Sequence, residues 1–187
     1  GKARLKKWGE KEPFFASIYK RNLLKSNSRV KINKYNLGIE LEVFFYLKKS
    51  ILLSKNKMTE KNIGKYIISM GPCIEVVGYR QKKRGLKTLG DLISDFGANV
   101  KFINGSKKKY KKLNFANLKT ELMHVKSGSK TQGNTKSVYD SPIKSLVWLI
   151  NKIRRRKSIN KNFYVFTGST VGVVPCLLYT SDAADEK

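Results

Sequence analysis

The chain has 187 residues, 40% of them hydrophobic, and a formal net charge of +27 at pH 7. This length and apolar content fit one folded domain, and no apolar run is long enough to span a membrane. Two cysteines, Cys73 and Cys176, do not make a disulfide framework, and the first residues lack the apolar segment of a secretory signal. We therefore expect a cytoplasmic protein.

The first third of the chain contains few regular elements. Residues 2–8 predict a basic helical turn, which a following proline ends. Residues 20–36 are polar and loop-like, with room for a short strand over 29–32. The apolar run 37–47 predicts a buried strand. Thr59 resembles a helix cap, and a helix is expected from there to about Ser69, ended by a Met-Gly-Pro sequence.

The rest of the chain alternates strands with helices. Helical spacing of Leu89, Leu92, Ile93 and Phe96 predicts a helix over 87–96. A Ser-Pro pair at 141–142 begins an amphipathic helix that runs to 153. Residues 128–133 favour a hairpin connection. Strands are expected at 73–79, 100–103, 118–125 and 160–167. The pattern predicts an α+β fold with a β-rich mixed-sheet core and peripheral helices.

Residues 176–187 differ in composition from everything before them. They hold three of the chain's 13 acidic residues, and their only lysine is the last one. The peptide resembles one translated frame of a sequencing adapter. We therefore interpret 176–187 as non-native and expect the domain to lie within residues 1–175.

The high positive charge favours a polyanionic partner, but it has another explanation. Lys, Asn and Ile are abundant throughout, as a genome rich in AT codons would produce. The lysine and arginine residues are dispersed, with short clusters at 107–109 and 154–157 that are typical of solvated loops and helix ends. We expect only non-specific adhesion to nucleic acid at low salt. A basic nucleic-acid-binding domain remains an alternative.

Three glutamates lie in apolar, β-prone segments. Glu40 and Glu42 alternate along one predicted strand and therefore project from the same face. Glu75 lies in another such strand, with apolar residues on both sides. Adjacent carboxylates repel unless a cation lies between them, and hard oxygen ligands suit Mg²⁺ or Mn²⁺. The pattern predicts a metal site, and solvent-exposed, widely separated glutamates would instead favour the nucleic-acid alternative.

Six segments, in order, resemble the 2-keto-4-pentenoate hydratase and 4-oxalocrotonate decarboxylase family of the fumarylacetoacetate hydrolase superfamily. They are GEKEPFF at 9–15, GIELEV at 38–43, IEVVGYR at 74–80, DLISDFGAN at 91–99, SPIKSLVWLIN at 141–151 and FTGSTVG at 166–172. The resemblance spans residues 1–175 and implies an incomplete catalytic domain of this family, with the fold of the superfamily's C-terminal domain.

The resemblance also implies a site and a reaction. Glu40, Glu42 and Glu75 would bind Mg²⁺ or Mn²⁺, which would act as a Lewis acid on a 2-oxo or 2-hydroxydienoic acid. Hydrogen bonds to the substrate carboxylate would come from Thr167, Gly168 and Ser169. A lyase that hydrates or decarboxylates such acids in aromatic meta-cleavage catabolism is the leading hypothesis, and an acylpyruvate-type carbon–carbon hydrolase is the alternative within the superfamily.

The sequence departs from the family pattern where protons are transferred. Phe14 stands where hydratases carry an Asp, and Phe96 replaces an Asn. The family's active-site lysine would lie upstream of Gly1, so no catalytic acid or base is assigned within the chain. The resemblance further implies a homo-oligomer for the full-length protein.

Overall fold

A computed structural model describes residues 12–32, 35–80, 88–154 and 158–175 of the chain. The predicted basic turn at 2–8, the start of the GEKEPFF segment, most of the 154–157 cluster and the tail with Cys176 lie outside these residues. None of the described helices is long and apolar enough to cross a membrane.

Seven described strands form one mixed sheet. Its main path runs β1 (Leu23–Leu24), β4 (Asn99–Asn104), β3 (Ile67–Gly78), β2 (Asn36–Leu47) and β8 (Phe163–Ser169). The short strands β5 (Lys108–Lys109) and β9 (Val174–Pro175) pair with β3 and β2. β1 runs parallel to β4, and the other pairs are antiparallel. A separate hairpin pairs β6 (Lys119–Met123) with β7 (Lys130–Asn134). The predicted α+β class with a β-rich mixed sheet is confirmed.

The part of the chain that the structure describes has two α-helices beside the sheet, α1 (Leu89–Ser94) and α2 (Pro142–Ile153). α2 begins as predicted, because the Ser141 hydroxyl accepts a hydrogen bond from the Ile143 backbone N–H at 3.2 Å and Pro142 fits the first turn. Its apolar stripe, which includes Leu146 and Ile150, packs with Phe45 of β2 in the main core. This core fixes β2 from one face and leaves the other face for the site.

The predicted helix from Thr59 to Ser69 is wrong. The structure has only a 3₁₀ turn at Ile63–Tyr66, and β3 begins at Ile67. Pairing with β2 explains the difference, because Leu47 lies opposite Ile67 and the ladder continues through residues 69–77. Local helical signals are weaker than a long antiparallel ladder that also buries the β-branched residues.

Gly71 and Pro72, which were expected to end the predicted helix, lie within β3 instead. A side chain at Gly71 would come within 2.3 Å of the Ser106 carbonyl oxygen, so only glycine allows this close approach. The Pro72 carbonyl accepts a hydrogen bond from Gly105. The proline ring therefore faces the side away from β2 and removes no hydrogen bond from the β2–β3 ladder.

The remaining differences concern element ends. Residues 29–32 form no strand, and Leu23–Leu24 pairs with β4 instead. The helix expected over 87–96 is shortened to α1, where Leu92 is buried but Ile93 is 45% exposed. The hairpin turn expected over 128–133 lies earlier, because β7 already begins at Lys130. The strand predicted over 160–167 is β8, shifted by two or three residues.

Candidate metal centre

The alternation of β2 places its two glutamates on one face of the sheet. Glu40 and Glu42 are separated by Leu41, and both are buried. The antiparallel register brings Glu75 of β3 directly opposite Glu40. One carboxylate oxygen from each of the three residues lies within 4.8 Å of the others. The glutamates that the sequence singled out are therefore brought together.

Burial makes this cluster electrostatically unusual. Glu40, Glu42 and Glu75 are only 7%, 4% and 5% exposed. The pKa of Glu42 is raised from 4.5 to about 7, mainly by burial and to a lesser extent by the neighbouring charge of Glu40, while hydrogen bonds with Glu75 and Gly168 oppose the shift. A proton or a cation is thus needed to relieve the repulsion of these carboxylates near neutral pH.

The carboxylate of Glu42 is also oriented by β8. The backbone N–H of Gly168 donates a hydrogen bond to Glu42 Oε2 at 3.0 Å. Gly168 has a φ of 111°, in the region that favours glycine. The Thr-Gly-Ser segment is therefore adjacent to the carboxylates, and its glycine fixes the position of one of them.

The donors of this segment already have acceptors within the protein. The Thr167 hydroxyl donates to the Val43 carbonyl at 2.9 Å. The Ser169 hydroxyl donates to the Gly172 carbonyl at 3.2 Å and accepts from the Gly172 N–H at 2.8 Å. These bonds hold the end of β8 in a fixed turn. A substrate carboxylate would have to replace one or more of them, and Ser169, at the solvent-accessible turn, is the most easily released.

Cys73 lies beneath the carboxylates. It faces Glu42 across the β2–β3 ladder and is 2% exposed. Burial raises the pKa of the Cys73 thiol well above its usual value, and the charges of Glu42 and Glu75 raise it further. The thiol therefore stays protonated, as is typical of a small core residue rather than a nucleophile.

The carboxylates open into a cavity of about 1600 Å³. The segment 167–169 lines the same cavity, so both predicted groups of site residues face one space. Phe14 also lines it, at the position where the family pattern has an acid, and its ring cannot transfer a proton. Exposed, widely separated glutamates would have favoured the nucleic-acid alternative, and the three glutamates are instead buried and close together.

Sequence analysis missed the aromatic wall of this cavity. Side chains from β2, β4, β8, α2 and the segment before β1 supply the rings, among them Phe15, Tyr46, Phe102, Trp148, Tyr164 and Phe166. Trp148 lines the cavity, and its buried Nε1 has no hydrogen-bond partner among the described residues. The alternation of Tyr164 and Phe166 with buried Val165 could have indicated the wall.

The donor set fits a divalent cation. Three carboxylates offer hard oxygen ligands, which Mg²⁺ and Mn²⁺ prefer. They are buried at the base of a cavity large enough to admit a small ligand beside the cation. A cation there would favour the charged form of Glu42, against the burial and the neighbouring charge of Glu40 that raise its pKa.

The sequence matches no protein-family model and no curated protein. Its structure is similar to two solved structures of 4-oxalocrotonate decarboxylase from Pseudomonas putida G7, one complexed with magnesium and adipate and one with calcium and acetate. Each comparison has a TM-score of 0.75 and 17% sequence identity over 94% of this chain. The chain spans 66% of the length of those proteins. This similarity establishes a shared fold of the fumarylacetoacetate hydrolase type.

Proposed function

We propose that this chain is a metal-dependent enzyme of the fumarylacetoacetate hydrolase superfamily that hydrates or decarboxylates a 2-oxo or 2-hydroxydienoic acid. The observation that carries the proposal is the convergence of Glu40, Glu42 and Glu75, three buried carboxylates within 4.8 Å at the base of a large cavity. Burying three carboxylates is unfavourable unless their charge is compensated. A bound cation would compensate it, and buried ionisable groups of this kind are typical of functional sites.

The shared fold supports the same proposal. The similar structures hold magnesium or calcium together with a carboxylic acid, adipate or acetate. In this chain Glu40, Glu42 and Glu75 would hold Mg²⁺ or Mn²⁺, which supplies Lewis acidity toward a carbonyl oxygen when bound.

The chain's own residues would orient the substrate. Gly168 holds the Glu42 carboxylate through its N–H, so that one ligand is in place before substrate arrives. Ser169 would exchange its bond to the Gly172 carbonyl for a bond to the substrate carboxylate, with Thr167 beside it. Rings such as Phe102 and Phe166, whose centroids are 4.1 Å apart, present an apolar wall that suits a dienoic carbon chain.

The test begins with calorimetry of Mg²⁺ and Mn²⁺ on the whole chain. We expect saturable binding that Glu42→Ala abolishes, while Glu60→Ala, which removes an exposed carboxylate, leaves it unchanged. A folded protein that binds neither ion, or that loses binding equally in both variants, would contradict the proposal.

Product analysis then separates the reactions. With a 2-hydroxydienoate, a product heavier by one water, formed without release of CO₂, indicates hydration. With a 2-oxo dicarboxylate, release of CO₂ indicates decarboxylation. Cleavage of an acylpyruvate into pyruvate and a second acid would instead support the carbon–carbon hydrolase.

A further inference from the structure

A second pocket, of about 620 Å³, shares Tyr19 with the carboxylate cavity. It is formed where the segment before β1 meets the ends of β3 and β4. Three of its lining residues are cations, Arg21, Arg80 and Lys101, and none of its described lining residues is acidic. The volume is typical of small-molecule sites.

Arg80 is held rigidly at the edge of this pocket. Its guanidinium donates to the Asp95 carbonyl at 2.9 Å and forms an ion pair with the buried Asp95 carboxylate at 3.2 Å. It also donates to the Asn99 carbonyl. Asp95 balances the charge of Arg80, so Arg21 and Lys101 remain as the cations of the pocket without a carboxylate partner among the described residues.

Lys101 is fixed as well. Its ammonium donates to the Asn22 side-chain carbonyl at 3.0 Å and approaches the Arg21 carbonyl at 3.4 Å. These neutral acceptors position the charge without cancelling it. Preorganised cations of this kind are effective in binding an oxyanion such as phosphate.

Two of the three cations lie over aromatic rings. The Arg21 guanidinium lies 4.9 Å from the centroid of the Tyr19 ring, and that of Arg80 lies 5.4 Å from the centroid of Phe96. The Tyr19 and Phe96 rings contact each other at 5.5 Å. Phe96 has a φ of 54°, a costly conformation for a bulky residue, and it presents its ring to the pocket.

We propose that this pocket binds a planar aromatic anion, a nucleoside monophosphate, with the phosphate on Arg21 and Lys101 and the base against the Tyr19 and Phe96 rings. Interleaved cations and rings are the arrangement that recognises a base and its phosphate together. The general positive charge of the protein supplies attraction without such stacking. The pocket is lined by none of the three glutamates of the proposed metal centre.

Calorimetry with AMP on the whole chain, in EDTA and physiological salt, tests this proposal. We expect saturable binding of one AMP per chain. Arg21→Gln and Lys101→Gln should each weaken it about tenfold, as expected for loss of a charged hydrogen bond. Tyr19→Leu should weaken it about fivefold or more through lost stacking. Lys31→Gln removes an exposed charge outside the pocket and should have no effect.

Inorganic phosphate is the second probe and should bind at least about tenfold more weakly than AMP, because it lacks a stacking base. Equal affinity for phosphate, an equal loss in Lys31→Gln, or no saturable binding would each overturn the proposal. Because EDTA removes divalent cations, AMP binding should persist in Glu42→Ala. Failure at this pocket is therefore distinguishable from failure of the metal centre.

Discussion

The two faces of β2 use burial in opposite ways. On one face, Val43, Phe45 and Leu47 pack with α2 and with Phe115 in the main core. On the other face, Glu40 and Glu42 are buried beside Glu75, where charge is unfavourable. Alternation along a single strand thus separates the apolar residues that stabilise the fold from the buried carboxylates that are the proposed metal ligands.

The largest expected effect is on the apolar face. Phe45 is fully buried and contacts Phe115 edge to face, with ring centroids 5.7 Å apart. Phe45→Ala should lower the free energy of unfolding by about 3–5 kcal/mol, since it removes a large ring and leaves a cavity. Denaturant titration measures this. Leu53→Ala, at a residue that is 78% exposed, is the control and should change stability by less than about 0.5 kcal/mol.

On the carboxylate face of the metal-free protein, the native side chain should lower the free energy of unfolding near neutral pH instead of raising it. Because the pKa of Glu42 is about 7 in the folded state and near 4.5 when unfolded, the folded form retains a proton that the unfolded form releases. Its stabilising contribution is present below pH 4.5 and is lost as pH rises through 7. The expected loss is about 3 kcal/mol.

Glu42→Gln should remove this pH dependence and make the metal-free protein more stable than the wild type at pH 8. Urea titrations of both proteins in EDTA between pH 4 and 8 provide the measurement. Parallel curves for wild type and variant would show that Glu42 does not carry the buried charge, and the contrast between the two faces would then fail.

A bound divalent cation should offset the destabilising effect of the three buried carboxylates on the folded protein. At about 100 times Kd, Mg²⁺ or Mn²⁺ should raise the free energy of unfolding at pH 8 by about 2.7 kcal/mol, because it binds only the folded protein. Glu75→Gln should lose this stabilisation, while Glu60→Gln should keep it. Thermal unfolding at constant ionic strength distinguishes binding from screening, and equal stabilisation of all three proteins would indicate screening alone.

The smallest expected effect tests the boundary of α2. Ser141→Ala removes the hydroxyl that accepts the Ile143 N–H and should cost about 1 kcal/mol. Its metal affinity should stay unchanged, because Ser141 caps the start of the helix, whose buried apolar side packs in the core on the face of β2 opposite the carboxylates. Ser26→Ala, at an exposed serine, is the control in denaturant titration and calorimetry. A change in metal affinity would show that the two faces are coupled.

Local patterns predicted several elements well. The buried strand over 37–47 and the helix over 142–153 occur almost as expected, because apolar periodicity and capping residues act within a few residues of each other. The helix expected after Thr59 does not occur, because the end of that segment pairs with β2, a strand that lies outside the segment in sequence. The aromatic wall was missed for the same reason, since its rings come from five separate elements.

The sequence alone determined that Glu40 and Glu42 share a face and that apolar residues occupy the opposite one, because a strand has a period of two. It also indicated that Glu75 lies in a second buried strand. Only the tertiary structure decided that Glu75 faces Glu40, that Gly168 binds Glu42, and that Arg80 pairs with Asp95 beside a second pocket. Strand register and pocket shape depend on contacts between distant segments, which no local pattern specifies.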